Sequence, residues 1–440
     1  MNPLASIPSA PPPAMSEGVF ALVLALLLIA PLAIAGVALL NTGLGRSRSA
    51  AHALLGNLAV VAVAAMVFAL IGATLTGSLP GASGSAGFSF HAAGKSWNWL
   101  GSGSFQLAGM GNAAPQAQLA VLFEFLSVAM AVLLPWGSGA DRFRLAAGCA
   151  TAVILSAIVF PLAAHWIWAG GWLASLGVNF SLGAGFLDMG GAATVHALGG
   201  LSALAVVWIA GPRRGKFPKE GLSTAMPGHN AAYVLFGCML ASVGWLAWNA
   251  AGAILWLRAP LAALPLTAIN TLLSASAAIV ATLILTRVRF GKPDASLCAN
   301  GWLAGLVASS ACAAIATPAE TIFVGAVAGI FTPLLVELLE LALSVDDPSG
   351  AVTVHGAAGL WGLFAAGLFA PQPGQLLAQL VGIAALLGVI LPLVYLLFAL
   401  LNRVVPFRVD PDGERMGMDL HELGGGAYPE FVIHRDESYR

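Results

Sequence analysis

The sequence predicts an all-α polytopic membrane protein of eleven transmembrane helices, arranged as two inverted five-helix repeats plus a C-terminal helix. Three observations carry that prediction. Of 440 residues, 59% are hydrophobic and only 8% charged, far from the roughly 25% charged residues of soluble domains, so lipid must be the main solvent. Apolar runs able to cross a hydrocarbon core of about 30 Å, each about 20 residues as helix, recur from Gly18 to Leu401. Finally, DMGGAATVHALGGL at 188 to 201 returns as DPSGAVTVHGAAGL at 347 to 360, with Asp, Gly, Ala, Thr, Val, His, Gly and Leu at equivalent positions.

Taken in order, the spans read as 18 to 40, 51 to 74, 117 to 136, 145 to 168, 187 to 210, 231 to 251, 261 to 285, 297 to 316, 322 to 343, 352 to 369 and 376 to 401. Residues 1–17 lack a basic region ahead of the first apolar run and are rich in proline, which reads as an uncleaved, disordered lead rather than a signal peptide. Residues 18–402 then form one membrane domain, since the only long polar interruption is the Gly/Ser-rich segment 77 to 115. Residues 403–440 form a polar tail. The 52 glycines argue for close helix packing. With alternating spans, all 18 basic residues except Lys95 and Arg258 fall on one side. The positive-inside rule therefore sets the N-terminus outside and the C-terminus in the cytoplasm, and predicts a multi-pass protein of the plasma (inner) membrane. The net charge of −1 gives no reason to expect a nucleic-acid partner. Cys149, Cys238, Cys298 and Cys312 lie in expected spans without CxxC spacing, so they read as inert thiols.

The first copy of the repeated stretch opens span five from outside and the second opens span ten from inside, which makes the repeat inverted. Asp188 and Asp347 then sit at helix N-termini, where a carboxylate caps free N–H groups and complements the dipole. Each His lies eight residues further in, about 12 Å at about 1.5 Å per residue, so His196 and His355 approach the midplane from opposite faces. A neutral imidazole carries one donor and one acceptor, so two in contact can pass a proton along a pore. The alternative is a pair of core histidines, each satisfied by a hydroxyl or carbonyl. Two histidines without further ligands make an incomplete metal shell, and no metal or cofactor is expected. The absence of HExxH, GxSxG and P-loop spacings argues against an enzyme.

These stretches, with ADRFRL at 140 to 145, HWIW at 165 to 168, HN at 229 to 230, GWLAWN at 244 to 249, GKP at 291 to 293, NGWLAGLV at 300 to 307 and DDP at 346 to 348, resemble the ammonium transporter (Amt/Mep/Rh) superfamily, Amt branch, from about residue 18 to 428. The resemblance implies a homotrimer in the lipid bilayer with one pore per subunit, carrying ammonium/ammonia. His196 and His355 match the pore pair, and Trp168 matches the vestibule Trp that holds a cation on its ring face. The family's two gate phenylalanines correspond to Ser127 and Trp248, its vestibule Ser to Gly252, and a Gln of the third span to Glu124. One expectation is that Glu124, beside Trp168 and Trp248, supplies the lost cation attraction; the other is that it is paired or protonated at a helix contact. His165, one turn before Trp168, reads as its structural partner, and Trp245 and Trp361 as packing or interface aromatics. Gly356, Gly359 and Gly362 read as a closely approached helix face.

The tail from 410 to 431 resembles the family's regulatory segment, which implies a PII-type signalling partner, although ELGGG replaces its usual acidic and His-Gly stretch; a solvated, partly disordered tail is the alternative. The leading function is ammonium/ammonia transport. An ammonium sensor with little flux and an Rh-like neutral gas channel are the rivals.

Overall fold

The computed structural model describes residues 15–79, 87–220 and 223–428; the expected disordered lead falls largely on residues 1–14, outside the described residues. Among the described residues, eleven helices are long and apolar enough to cross a membrane: α1 Glu17–Leu44, α2 Ser47–Thr76, α3 Pro115–Ser138, α4 Leu145–Ile167, α5 Ala192–Ala210, α6 Ala231–Leu257, α7 Leu261–Phe290, α8 Ala295–Cys312, α9 Pro318–Leu343, α10 Val352–Phe369 and α11 Gln375–Asn402. Each overlaps one expected span. Large apolar side chains such as Leu58, Met66 and Met239 point outward, each about two-thirds exposed, as a lipid-solvated surface requires.

The contacts repeat with a period of five helices. α2 packs on α4 as α7 packs on α9; α3 crosses α5 as α8 crosses α10; α1 and α6 pack on each other. α5 starts beside Trp168, whose indole donates to the Asp188 carbonyl. α10 starts at the opposite face, where Arg142 donates to the Asp346 carbonyl. The two halves are therefore inverted copies, with α11 added. Glycine makes the close approaches possible. A Cβ added at Gly325 or Gly329 of α9 would sit 2.1 Å from the Ser274 or Ala278 carbonyl oxygen of α7, so only the missing side chains let these helices meet.

Three of the differences from the sequence reading have a visible local cause. Span five was expected from residue 187, but the helix opens at Ala192, after an extended lead whose Gly191 takes a φ of 81°. Span eight stops at Cys312 rather than 316, because the Asn270 amide donates to the carbonyls of Ala313 and Ala316 and satisfies a chain leaving the helix. The segment 77 to 115, read as a loop, contains an antiparallel hairpin, β1 Phe88–Ala92 and β2 Lys95–Leu100. Its turn residues Ala93 and Gly94 both have positive φ, as the tight twist of a two-residue hairpin demands.

The alternative of a solvated, partly disordered tail does not hold for the described residues 403–428. Asp410 caps a short helix, α12 Pro411–Met416. Asp419 accepts from the backbone N–H groups of Ala51 and His52 at the start of α2. Glu422 accepts from Leu145 N at the start of α4 and bonds His52 Nε2 at 2.8 Å. Two acidic tail residues thus cap two membrane helices, which have free N–H groups and a positive dipole end there.

Candidate functional site

The repeated sequence folds into the same device twice. At each copy a glycine with positive φ, Gly191 or Gly350, turns the chain into a π-helical first segment, Ala192–Ala197 or Val352–Ala357. The aspartate three residues before that glycine caps it. Asp188 Oδ2 accepts from the N–H groups of Ala193 and Thr194 and from the Thr194 hydroxyl. Asp347 Oδ2 accepts from Val352 N at 2.8 Å while its Oδ1 accepts from the hydroxyls of Ser138 and Ser349. Widened turns of this kind are frequent at functional sites.

What they aim is the histidine pair. His196 Nδ1 and His355 Nδ1 lie 3.2 Å apart, so one ring donates and the other accepts. Both side chains are buried. Their rings meet because the backbones do: a Cβ at Gly200 would fall 2.2 Å from Gly356 N, and one at Gly359 would fall 2.7 Å from the Ala192 carbonyl oxygen. Trp245 stacks on the His196 ring at 4.8 Å with planes 13° apart, and its own N–H is held by Ser310 Oγ at 2.9 Å. The sequence reading gave Trp245 a choice of packing or interface; it packs inside, against the pore pair. Trp361 packs too, with its N–H on the Val324 carbonyl.

On the hairpin side of the pair sits an aromatic cage. Phe123 presents its ring to Trp168, Trp248 and Trp256 at centroid distances of 5.3, 5.5 and 5.7 Å, all edge to face. Trp168 lies flat on Trp256, 5.0 Å apart with planes 4° from parallel. One face of Trp168 is therefore covered, and only the other remains for a cation. Trp248 is buried and stands three residues after Trp245 on α6. Ser127 makes no lid, since its hydroxyl donates to the Phe123 carbonyl one turn back. The aromatic at that level is Phe123 itself. Sequence reasoning missed Phe123 and Trp256; their signal was helical spacing, with Phe123 one turn from Ser127 and Trp256 two turns from Trp248.

Gly252 has a structural cause. A Cβ there would come within 2.1 Å of the Met189 carbonyl oxygen, so backbone occupies the space a serine would need. Glu124 is fully buried, and its Oε1 accepts from the Ser78 hydroxyl. It thus faces the end of α2, 100° around the helix from Phe123. His165 likewise turns to that segment, its Nδ1 donating to the Thr76 carbonyl at 2.8 Å.

Beyond the pair, on the tail side, opens a cavity of about 650 Å³ lined by Lys216, Met226, Asn300, Glu340, Asp347 and Gly350 among others. Beside it lies a charge network the sequence reading did not single out. Arg213 bonds both Asp346 oxygens at 2.9 Å and Asp141 Oδ2 at 3.1 Å. Arg142, wholly buried, donates to the carbonyls of Gly211, Ala140 and Asp346. Burial would raise the Asp346 carboxyl, but the Arg213 bonds and the Arg142 charge overcome it and hold the group at about 2. Burial also lowers Arg142 to about 10. Residues 140–145 and 346–348, quoted above as motifs, are thus the two sides of one clamp across the tail face. Among the described residues no cluster of three or more His, Cys, Asp or Glu is arranged to hold a metal ion.

Comparison with known proteins gives a consistent set of relatives. Residues 19–428 match the model of the Ammonium Transporter Family. The chain is 32% identical over 425 residues to ammonium transporter Amt2 of Archaeoglobus fulgidus, covering 92% of this chain and 86% of that one. It is 30% identical to ammonium transporter Amt1 of Haloferax mediterranei, over 90% of this chain and 76% of that one. Among solved structures, a sensor Amt protein superimposes with a TM-score of 0.81 at 25% identity, covering 92% of this chain and 97% of the other. Candida albicans Mep2 superimposes at 0.75 with 23% identity, covering 94% and 90%.

Proposed function

The chain belongs to the ammonium transporter family, a family of membrane transporters rather than enzymes, and from that membership we propose how ammonium crosses it. A cation is recruited against the open face of Trp168 at the hairpin side, which is the outer surface. Passing the buried Phe123 and Trp248 rings as a cation would cost several kcal/mol or more, whereas ammonia passes cheaply, so the proton is given up before the rings. His196 and His355 then form the polar point of an otherwise apolar pore, each able to donate to or accept from ammonia and to hand a proton across their shared bond. The single observation that carries this reading is the 3.2 Å contact between the two Nδ1 atoms. Asp188 and Asp347 are helix caps that aim the pair. Ser127, bonded to its own helix, contributes space rather than a gate.

The same reading sets residues 18–402 as the conducting domain and residues 403–440 as a cytoplasmic tail in the plasma membrane. It also has the protein working as a homotrimer with the tail open to a PII-type signalling protein. The test is the current across a supported bilayer of proteoliposomes after an ammonium jump, comparing wild type with His196→Ala. Loss of the current in the variant supports the pore reading; an unchanged current ends it. A sensor with little flux is the second reading, favoured by the fold shared with a sensor Amt protein and by the larger indole of Trp248 in the passage. A silent wild type in vesicles of folded protein supports that one.

A further inference from the structure

Glu124 is a carboxyl group buried to 0% exposure inside α3. Its Oε1 has one partner, the Ser78 hydroxyl, and among the described residues its Oε2 has none. A few residues away, His165 uses Nδ1 on the Thr76 carbonyl. With Nδ1 as the donor, the neutral ring offers Nε2 as an acceptor, and this atom too is buried and without a partner among the described residues. Both side chains are therefore anchored by one atom to the stretch from Thr76 to Ser78, and each leaves its second acceptor unsatisfied among the described residues. Buried polar groups are nearly always satisfied, and an unsatisfied carboxylate oxygen is among the costlier exceptions. What such a pair of acceptors lacks is a hydrogen.

The location suggests where the hydrogen comes from. Glu124 directly follows Phe123, the ring that touches Trp168, Trp248 and Trp256. His165 lies one turn before Trp168 on the chain leaving α4. The two side chains thus stand next to the aromatic cage in sequence, on two of the three elements that build it. Among the titratable groups of the neighbouring elements, His52 lies at the far, tail end of α2, and the Asp188 carboxylate is turned to Ala193 and Thr194.

We propose that Glu124, with Ser78 and His165 beside it, is a proton-accepting site at the entrance, which takes the proton ammonium gives up before ammonia passes Phe123 and Trp248. One N–H bond of ammonium breaks and an O–H bond forms on Glu124 Oε2. Ammonia moves inward, and the proton leaves Glu124 inward by way of the histidine pair, which regenerates the carboxylate and carries the charge that a current reads. Ser78 holds the other carboxylate oxygen, and His165 is anchored to the same stretch through the Thr76 carbonyl. This rests on the reading of the pore as an ammonia path, and it adds a step which that reading leaves without an acceptor.

The experiment is the pH profile of ammonium-driven current in proteoliposomes for wild type, Glu124→Gln and Ser78→Ala. Glutamine has the shape of the carboxyl group and keeps an acceptor for Ser78, but it cannot take a proton. The expected result is a current at least tenfold lower in Glu124→Gln, with the wild-type pH dependence flattened, and a displaced midpoint in Ser78→Ala. Glu124→Asp should restore a pH-dependent current. Infrared difference spectra on acidification should contain a protonated-carboxyl band that Glu124→Gln removes. Profiles of Glu124→Gln and Ser78→Ala that superimpose on wild type, in protein whose thermal unfolding is unchanged, would overturn the proposal. If Glu124→Gln fails to fold, Ser78→Ala and the infrared band decide. A dead His196→Ala beside an unaltered Glu124→Gln would sink this inference alone, whereas a fully active His196→Ala would sink the histidine pathway alone.

Discussion

Trp168 and Asp346 both depend on a partner that covers them. For Trp168 the partner is Trp256, stacked flat on one face, which leaves a single face for a cation. Trp168→Ala should therefore raise the apparent KM for methylammonium by about threefold to thirtyfold, the range of a cation–π contact, with little change in the limiting rate. For Asp346 the partners are Arg213 and Arg142. Asp346→Ala leaves both guanidinium groups buried against an empty site, and the expected loss in thermal unfolding of purified protein is about 3–5 kcal/mol. The same pair sets a pH dependence. The Asp346 carboxyl titrates lower in the fold, at about 2, than its ordinary 3.8. Its contribution to stability is thus complete above about pH 4 and is lost as the pH falls through about 2. A melting curve taken stepwise across that window should fall for the wild type and be flatter for Asp346→Asn.

The helices α5 and α10 carry the pore pair, and they are unusual in how they begin. Both open in a π-helical turn after a positive-φ glycine, and both are capped by an aspartate that reaches past that glycine. The consequence is that the histidines are set by backbone rather than by side-chain packing. Gly200 tests this, because any Cβ there meets the backbone of Gly356. Gly200→Val should cost about 1–3 kcal/mol of stability through overpacking. It should also push α5 from α10, so that ammonium current falls with the His196→Ala variant even though both imidazoles remain. A Gly200→Val protein with full current would mean that the close crossing of the two helices is unrelated to conduction.

Across the whole molecule, the tail and the hairpin close the two ends of one inverted-repeat bundle. The tail works as a pair of helix caps: Asp419 on α2 and Glu422 on α4. Removing both carboxylates, as Asp419→Ala with Glu422→Ala, should lower stability by about 1–4 kcal/mol, twice the usual range of a single cap. Differential scanning fluorimetry in detergent against a chain ending at residue 409 checks it, since the truncation should do no less. At the other end, the hairpin backs the cage: Trp99 accepts on its carbonyl the N–H of Trp166, and Asn98 accepts the backbone N–H of Trp172.

The sequence alone was enough for the eleven crossings, the family and the approach of His196 to His355 from opposite faces. Those follow from hydropathy, from helix rise and from an internal repeat, which are properties of position along the chain. It could not decide where side chains one residue apart would point. Phe123 turned to the cage and Glu124 to Ser78, although adjacent residues of equal burial look alike in an apolar run. Nor could it reveal that Arg142 and Arg213 meet Asp346, residues more than a hundred positions apart. Local spacing fixes what a helix offers, but which of its faces meets a partner is a property of the packed bundle, and only the tertiary structure supplies that.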